Sequence, residues 1–380
     1  MSREIILTNA RIVTAEETMK GSLAIRDGRI VDLDASPSAL PLAQDMEGDY
    51  LLPGLVELHT DNLEKYMAPR PGVDWPPLSA ALTHDAQIVA SGITTVFDAI
   101  SVGEIHVRSQ RLANLLPMVE AVDKAEAHGF MRAEHRLHLR CEVVHPETLA
   151  LFERLFEHPR LSLVSIMDHS PGQRQFASLD KYRLYYMGKY GLSETEMDEL
   201  TVVQRQKAEL HSARQRKAIA ARCLSRRLPL ASHDDATAAH AEESAALGMA
   251  IAEFPTTLEA ARASHRKGLK VMMGAPNLIR GLSHSGNVSA SVLAGEGVLD
   301  MLSSDYYPAS LLHAAVKLAE MPGYSLPRAI NAVSRTPAQT VGLADRGEIR
   351  PGLRADLIQA RMHREHPVIR QVWQRGARVF

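Results

Sequence analysis

Only two cysteines occur among the 380 residues, Cys141 and Cys223. That excludes a small secreted scaffold stapled by disulfides and makes the reducing cytosol the expected compartment. No run of about 18 or more apolar residues is present, so no membrane span is expected. The opening MSREIILTNARIV alternates polar and apolar residues and lacks the apolar stretch of a secretory leader. Charge of one sign is also missing: 43 Lys and Arg against 45 Asp and Glu leave a net charge of −2. The bulk positive field of a nucleic-acid binder is therefore absent. No glycine-rich phosphate loop follows an early strand, which disfavours a dinucleotide-binding fold. Aromatic residues make up only 5% of the chain.

What the chain does have is histidine, 17 in all, set in a composition that is 45% apolar and 23% charged. Such a balance builds an ample globular core. The length suits a barrel of roughly 250–300 residues with a smaller appendage.

Both ends of the chain read as β-rich. Ile5–Thr8, Ala10–Thr14, Ser22–Arg26 and Arg29–Asp32 are strand-like, with Asp27-Gly28 as a hairpin turn. Gly347–Ile349, Asp356–Ala360 and Ile369–Val379 are the corresponding segments at the other end, with Pro351-Gly352 as a turn. Between them, eight apolar runs alternate with amphipathic stretches: Tyr50–Leu58, Thr94–Ile100, Arg136–Val143, Leu161–Met167, Leu230–Ser232, Ala250–Phe254, Lys270–Met273 and Met301–Ser304. The helical stretches include Val107–His128, Ser193–Leu224, Thr237–Leu247 and Leu258–Gly268. Eight strand–helix units predict an α/β fold, a distorted (β/α)₈ barrel over residues 51–345. Residues 1–50 and 346–380 are expected to pair into one small β-sandwich beside it.

In such a barrel the chemistry sits at the C-terminal ends of the strands. Metal-capable side chains recur there: Glu57, His59 and Asp61 on the first candidate, Asp98 on the second, Glu142 on the third. Asp168 and His169 end the fourth, His233, Asp234 and Asp235 the fifth, Glu253 the sixth and Asp305 the eighth. His59 and Asp61 are two apart on a strand and share a face; imidazole plus carboxylate suits Zn²⁺ or Mn²⁺. His233 directly follows a short strand, and His169 stands at an equivalent place, although a lone histidine is often structural. Glu142 reads either as a bridging ligand or as a partner of Arg140. Asp305 suits metal binding and proton transfer. The remaining histidines, among them His84, His135, His138, His145, His240 and His265, read as surface or supporting groups. His284 falls in a loop after the seventh strand, where it is a candidate for substrate contact.

Longer motifs carry a resemblance. Leu52-Pro53-Gly54-Leu55-Val56-Glu57-Leu58-His59, the strand-end Asp305 and the closing Gly347-Glu348-Ile349-Arg350-Pro351-Gly352-Leu353-Arg354-Ala355-Asp356-Leu357 resemble the amidohydrolase superfamily over essentially the whole chain. His59-Thr60-Asp61-Asn62, Pro69-Arg70-Pro71-Gly72-Val73-Asp74-Trp75, Met167-Asp168-His169-Ser170-Pro171-Gly172-Gln173-Arg174-Gln175, Ala231-Ser232-His233-Asp234-Asp235-Ala236-Thr237 and Ser303-Ser304-Asp305-Tyr306-Tyr307-Pro308-Ala309-Ser310 narrow it further. They resemble the triphosphate diphosphatases of bacterial carbon–phosphorus lyase pathways. The resemblance implies hydrolysis of α-D-ribose 1-methylphosphonate 5-triphosphate to the 5-phosphate and pyrophosphate, in phosphonate catabolism.

It also implies one or two divalent ions (Zn, Mn or Mg) held by His59, Asp61, Glu142, His169, His233 and Asp305. Most superfamily members carry His-x-His where this chain has His59-Thr60-Asp61, and a carboxylate there makes a harder site that favours Mn²⁺ or Mg²⁺. No carboxylatable lysine ends the third or fourth strand, so Glu142 is the bridging candidate. A triphosphate needs cations at the mouth. Arg70, Arg174 and Arg280 in loops are the candidates, with Lys65 and Lys189. A C–N hydrolase of the same fold and a metal-free scaffolding relative are the rival readings; the scarcity of aromatics near the strand ends speaks against a purine pocket. A homodimer is the default assembly.

Overall fold

A computed structural model describes residues 4–70, 72–106, 109–176, 178–281 and 286–380. The chain opens with β1 (Glu4–Val13), β2 (Thr18–Arg26) and β3 (Arg29–Asp34), followed by the short β4 (Gln44–Asp45) and β5 (Tyr50–Pro53). The two strands expected before residue 15 are one, bent where Asn9 adopts φ 55° and the pairing with β2 slips between Leu7 and Ala10. Asp27 and Gly28, at φ 50° and 76°, make the tight turn that matches the twist of β2 and β3.

The apolar run expected as a single strand from Tyr50 breaks at Gly54. A side chain there would stand 2.3 Å from Thr94 Oγ1, so only glycine lets the backbone pass from one sheet to the next. From Gly54 on, eight successive parallel strands follow: β6 (Leu55–Thr60), β7 (Ile93–Val102), β8 (Glu134–Glu142), β9 (Leu161–Met167), β10 (Leu230–His233), β11 (Ile251–Glu253), β12 (Lys270–Gly274) and β13 (Met301–Ser303). The barrel closes between β13 and β6 by fewer bonds than its other seams. Asp305 N–H donates to His59 O at 3.1 Å and Thr60 Oγ1 donates to Asp305 O at 2.7 Å. Lower down, the Ala332-Val333 carbonyls accept from Leu302 and Val56, wedging the seam open and distorting the barrel. Val56, Leu58, Phe97, Leu163, Ile251, Met272 and Met301 fill its floor, closed off by Ala338 and Leu343.

The chain returns through β14 (Leu357–His363), β15 (His366–Gln374) and β16 (Ala377–Arg378). β14 pairs antiparallel with β5, Leu357 opposite Pro53, so both chain ends share one sheet around Leu7, Ile12, Leu23, Leu51 and Trp373. The strand expected at Gly347–Ile349 is instead a bend, because Gly347 sits at φ 91°, outside the β region. Among the described residues no helix is long and apolar enough to cross a membrane. Among the helices added to the eight-unit plan is Leu179–Tyr190, started by the Ser178 side-chain cap and ended by Gly191 at φ 62°. It leads into the long helix Glu194–Ser225 and covers the barrel mouth.

Candidate active site

The strand ends converge. His59, Asp61, Arg140, Glu142, His169, His233, Asp234 and Asp305 all line one cavity of about 290 Å³ at the mouth. Strict alternation would put Leu58 and His59 on opposite faces. The register of β6 against β7 slips between Glu57 and Thr60, which lets Leu58 join the apolar floor while His59 reaches the cavity. All six residues expected to bind metal therefore lie on this wall.

Three of the six fall in groups whose ligand atoms lie within 4.8 Å of one another, His59 with His138 and Glu253, and His169 and His233 with Asp234; Asp61, Glu142 and Asp305 belong to neither. Glu253, fully buried, joins them. Its Oε2 lies 3.2 Å from His59 Nδ1 and 3.1 Å from His233 Nδ1, and its Oε1 lies 3.7 Å from His138 Nε2. His233 thus has Nδ1 hydrogen-bonded to Glu253, which fixes its ring orientation as in known carboxylate–histidine–metal arrangements, while His59 Nδ1 faces the same oxygen as an ion-pair neighbour. His169 is held likewise, its Nδ1 2.5 Å from Glu142 Oε2 and its amide donating to Glu142 Oε1 at 3.2 Å. Burial would discharge His169, but Glu142 and Asp234 outweigh it and hold the imidazolium up to about 9. Burial drives His138 down to about 3, so its ring is neutral, with Nδ1 2.9 Å from Leu58 O and Nε2 3.0 Å from Ser165 Oγ. Glu253 Oε1 and His59 Nδ1 are buried without a hydrogen bond. Mixed imidazole and carboxylate donors, pre-oriented and left unsatisfied, fit a divalent metal ion.

Asp61, Arg140 and Asp305 complete the floor. Burial opposes the charge on Asp61, but Arg140, 3.8 Å away, with Arg111 and Lys65 keeps it below the ordinary carboxylate value. Asp305 goes the other way, pushed up to about 7 by burial and by Asp61. Asp234, Phe254 and Asp305 all take left-handed backbone, at φ 58°, 54° and 54°. Each such residue costs of order 1 kcal/mol or more, and strain of this kind gathers at functional sites.

The cations differ from the sequence reading. Arg280 and Lys189 line the cavity, and partial desolvation, then Arg111, lowers Lys189 to about 8. Arg174 does not line it: its guanidinium is buried against Asp235 and reaches Glu243 at 3.3 Å. A buried arginine already matched by two carboxylates is not available to a phosphate, so that expectation is corrected. Arg70 is exposed, outside the cavity wall, and pairs its backbone with Val73. Lys65 is also outside the wall, its ammonium bonded to Tyr306 O. His284 lies outside the described residues. In their place stand Arg111, paired with Glu64 at 3.2 Å, and Arg140. The aromatic-poor mouth is also corrected, since the helix Leu179–Tyr190 brings Tyr185, Tyr186 and Tyr190 onto the wall.

Among the supporting histidines, His138 is a buried barrel residue, not a peripheral one. Asp98, expected at the end of the second strand, sits mid-strand because β7 runs on to Val102. It accepts from His84 Nε2 and His135 Nδ1, both at 2.8 Å, in a buried network under the helix Pro77–Ala90. The alternation of β8 was the signal for the missed lumen residues His138 and Arg140, which stand four and two places before Glu142 on the same face.

The chain is 53% identical over 378 residues, 99% of its length and 100% of the relative's, to the α-D-ribose 1-methylphosphonate 5-triphosphate diphosphatase of Escherichia coli (strain K12). Solved structures with the same fold include N-acetyl-D-glucosamine-6-phosphate deacetylase from Mycobacterium smegmatis, with TM-score 0.64, 15% identity, and 99% and 100% of the two chains covered. Another is 5-methylcytosine deaminase from Klebsiella pneumoniae, with TM-score 0.63, 15% identity, and 99% and 98% covered. An amidohydrolase aligns with TM-score 0.64, 16% identity, and 99% and 98% covered. No family model matches the chain.

Proposed function

This chain belongs to the family of α-D-ribose 1-methylphosphonate 5-triphosphate diphosphatases, and from that premise we propose that it hydrolyses this triphosphate to the 5-phosphate and pyrophosphate. Water supplies the oxygen of one new P–O bond, the anhydride P–O bond breaks, and pyrophosphate leaves with the electron pair. One observation carries the reading. A single cavity combines metal-capable imidazoles and carboxylates at its floor with Arg111, Arg140, Lys189 and Arg280, the pairing that a polyanionic phosphoanhydride requires.

His59, His138 and Glu253, with His169, His233 and Asp234, would hold one or two divalent ions, and the carboxylates among them would tilt the choice toward Mn²⁺ or Mg²⁺ over Zn²⁺. When bound, the metal polarises phosphoryl oxygen and makes water a nucleophile near neutral pH. Glu253 and Glu142 orient the imidazoles. Asp305, whose carboxyl is poised at about 7, takes the proton of the attacking water and returns it to the departing side. Arg111, Lys189 and Arg280 hold the phosphates along the wall. Cys141 and Cys223, both free and buried, suit a reducing cytosol.

The test is product analysis. Metal-loaded protein incubated with the ribosyl triphosphate is expected to release pyrophosphate stoichiometrically with the 5-phosphate. Orthophosphate alone, or no product, sinks the assignment.

A further inference from the structure

Arg140 differs from Arg111, Arg174 and Arg216 near the mouth. It lies on β8 between His138 and Glu142, only 7% exposed, and lines the cavity floor beside Asp61 and Asp305. Its Nε and Nη1 are buried and have no hydrogen-bond partner among the described residues. The nearest carboxylate oxygen, Asp61 Oδ2, is 3.8 Å from Nη1, beyond hydrogen-bond reach. The neighbouring cations are matched: Arg111 by Glu64, Arg174 by Asp235, Arg216 by Asp168 at 2.8 Å. Burying a guanidinium with its donors unmet is unfavourable unless a ligand completes it. The planar fork of donors fits two oxygens of one phosphoryl group, which a lysine ammonium cannot grip in the same way.

We propose that Arg140 is the catalytic arginine that clamps the non-bridging oxygens of the phosphoryl group under attack. The proposal rests on the diphosphatase reading above. Arg140 transfers no proton. As the water oxygen bonds to phosphorus and the anhydride bond breaks, negative charge grows on the non-bridging oxygens, and the fixed N–H donors meet it there. The competing role is a static counter-charge to Asp61 and Asp305, with no contact to substrate.

The experiment uses the full-length, metal-loaded protein and two variants, Arg140→Lys and Arg140→Ala, each checked for metal content and folded circular dichroism. R140K keeps the charge and the fold but loses the fork. Expected results are a fall in kcat of about 10²-fold or more, weaker calorimetric binding of inorganic pyrophosphate, unchanged metal stoichiometry, and partial recovery of R140A by added guanidinium. R140K with kcat and pyrophosphate affinity within about twofold of wild type overturns the proposal. So does loss of bound metal in step with activity, since that marks a counter-charge. Failure of wild type itself to release pyrophosphate counts against the function, not against Arg140 alone, so the two failures are distinguishable.

Discussion

Glu253→Gln is the most informative single change, because one buried carboxylate orients three imidazoles. In the native arrangement Oε2 faces His59 Nδ1 and His233 Nδ1 at 3.2 and 3.1 Å, while Oε1 faces His138 Nε2 at 3.7 Å. A glutamine has one orientation that works. Its carbonyl must take the Oε2 place, because the amide there would set donor against donor. Its NH₂ then meets His138 Nε2, already 3.0 Å from Ser165 Oγ. The shape survives and the charge is lost. Charge-assisted hydrogen bonds are about twice as strong as neutral ones, so the His233 bond weakens by about 1 kcal/mol, and loss of the charge beside His59 removes about as much again. Together they come to about 2 kcal/mol, or roughly thirtyfold in metal affinity, inside the 10–100-fold range usual for a carboxylate behind a ligating histidine. Metal affinity is read by competition with a graded series of chelators, with folding verified by circular dichroism. E253Q that holds metal within about twofold of wild type refutes the claim that Glu253 tethers the ligands.

Asp305→Asn is expected to lower kcat by about 10²–10⁴-fold while leaving metal content largely intact; measured pyrophosphate release near the wild-type rate rules out its proton role. In wild type, burial and Asp61 set the Asp305 carboxyl at about 7, so activity rises with pH on an acid limb at or below that value and D305N lacks the limb. His135 is held up to about 9 because Asp98 and Asp85 outweigh its burial. Its stabilising charge is fully present below its ordinary value of 6.5 and is lost as pH rises through about 9. That is worth about 3 kcal/mol, and urea unfolding of metal-free wild type against His135→Leu is expected to show the gap closing with pH; a gap that stays flat refutes it. Arg111→Gln removes a wall cation but none of the candidate metal donors, so KM is expected to rise by about tenfold with kcat little changed. A change confined to kcat contradicts its placement on the bound phosphates.

Much of this was legible in the sequence because barrel chemistry has an address. Ligand-type residues at strand ends, such as His59, His233 and Asp305, fall on the cavity since parallel strands all point their C-termini to one rim. Asp98 misled because the strand that carries it continues to Val102, turning an apparent end into a middle. The cations were least legible. A loop arginine carries no periodicity, so nothing local separates Arg174, which folds into a buried pair with Asp235, from Arg280, which reaches the cavity. Arg111 opens a helix and meets Glu64 across 47 positions, a pairing that only the tertiary fold reveals. Glu253 ends a three-residue strand, too brief for its alternation to declare which way the carboxylate faces.

The sheet shared by the two chain ends sets a timetable for synthesis. Arg29 donates to Gly352 across 323 positions of sequence, and β5 finds β14 only across a comparable separation. At the usual pace of about 5–20 residues per second, a ribosome needs roughly a quarter of a minute to a minute to deliver that partner. Throughout this interval the edge of β5 is open and, just beyond Gly54, β6 has no β13 to close against. Strand edges left waiting in this way are where chains stick to one another. Faster translation late in the message, or a chaperone that shields the first 60 residues, is expected to raise the yield of active protein.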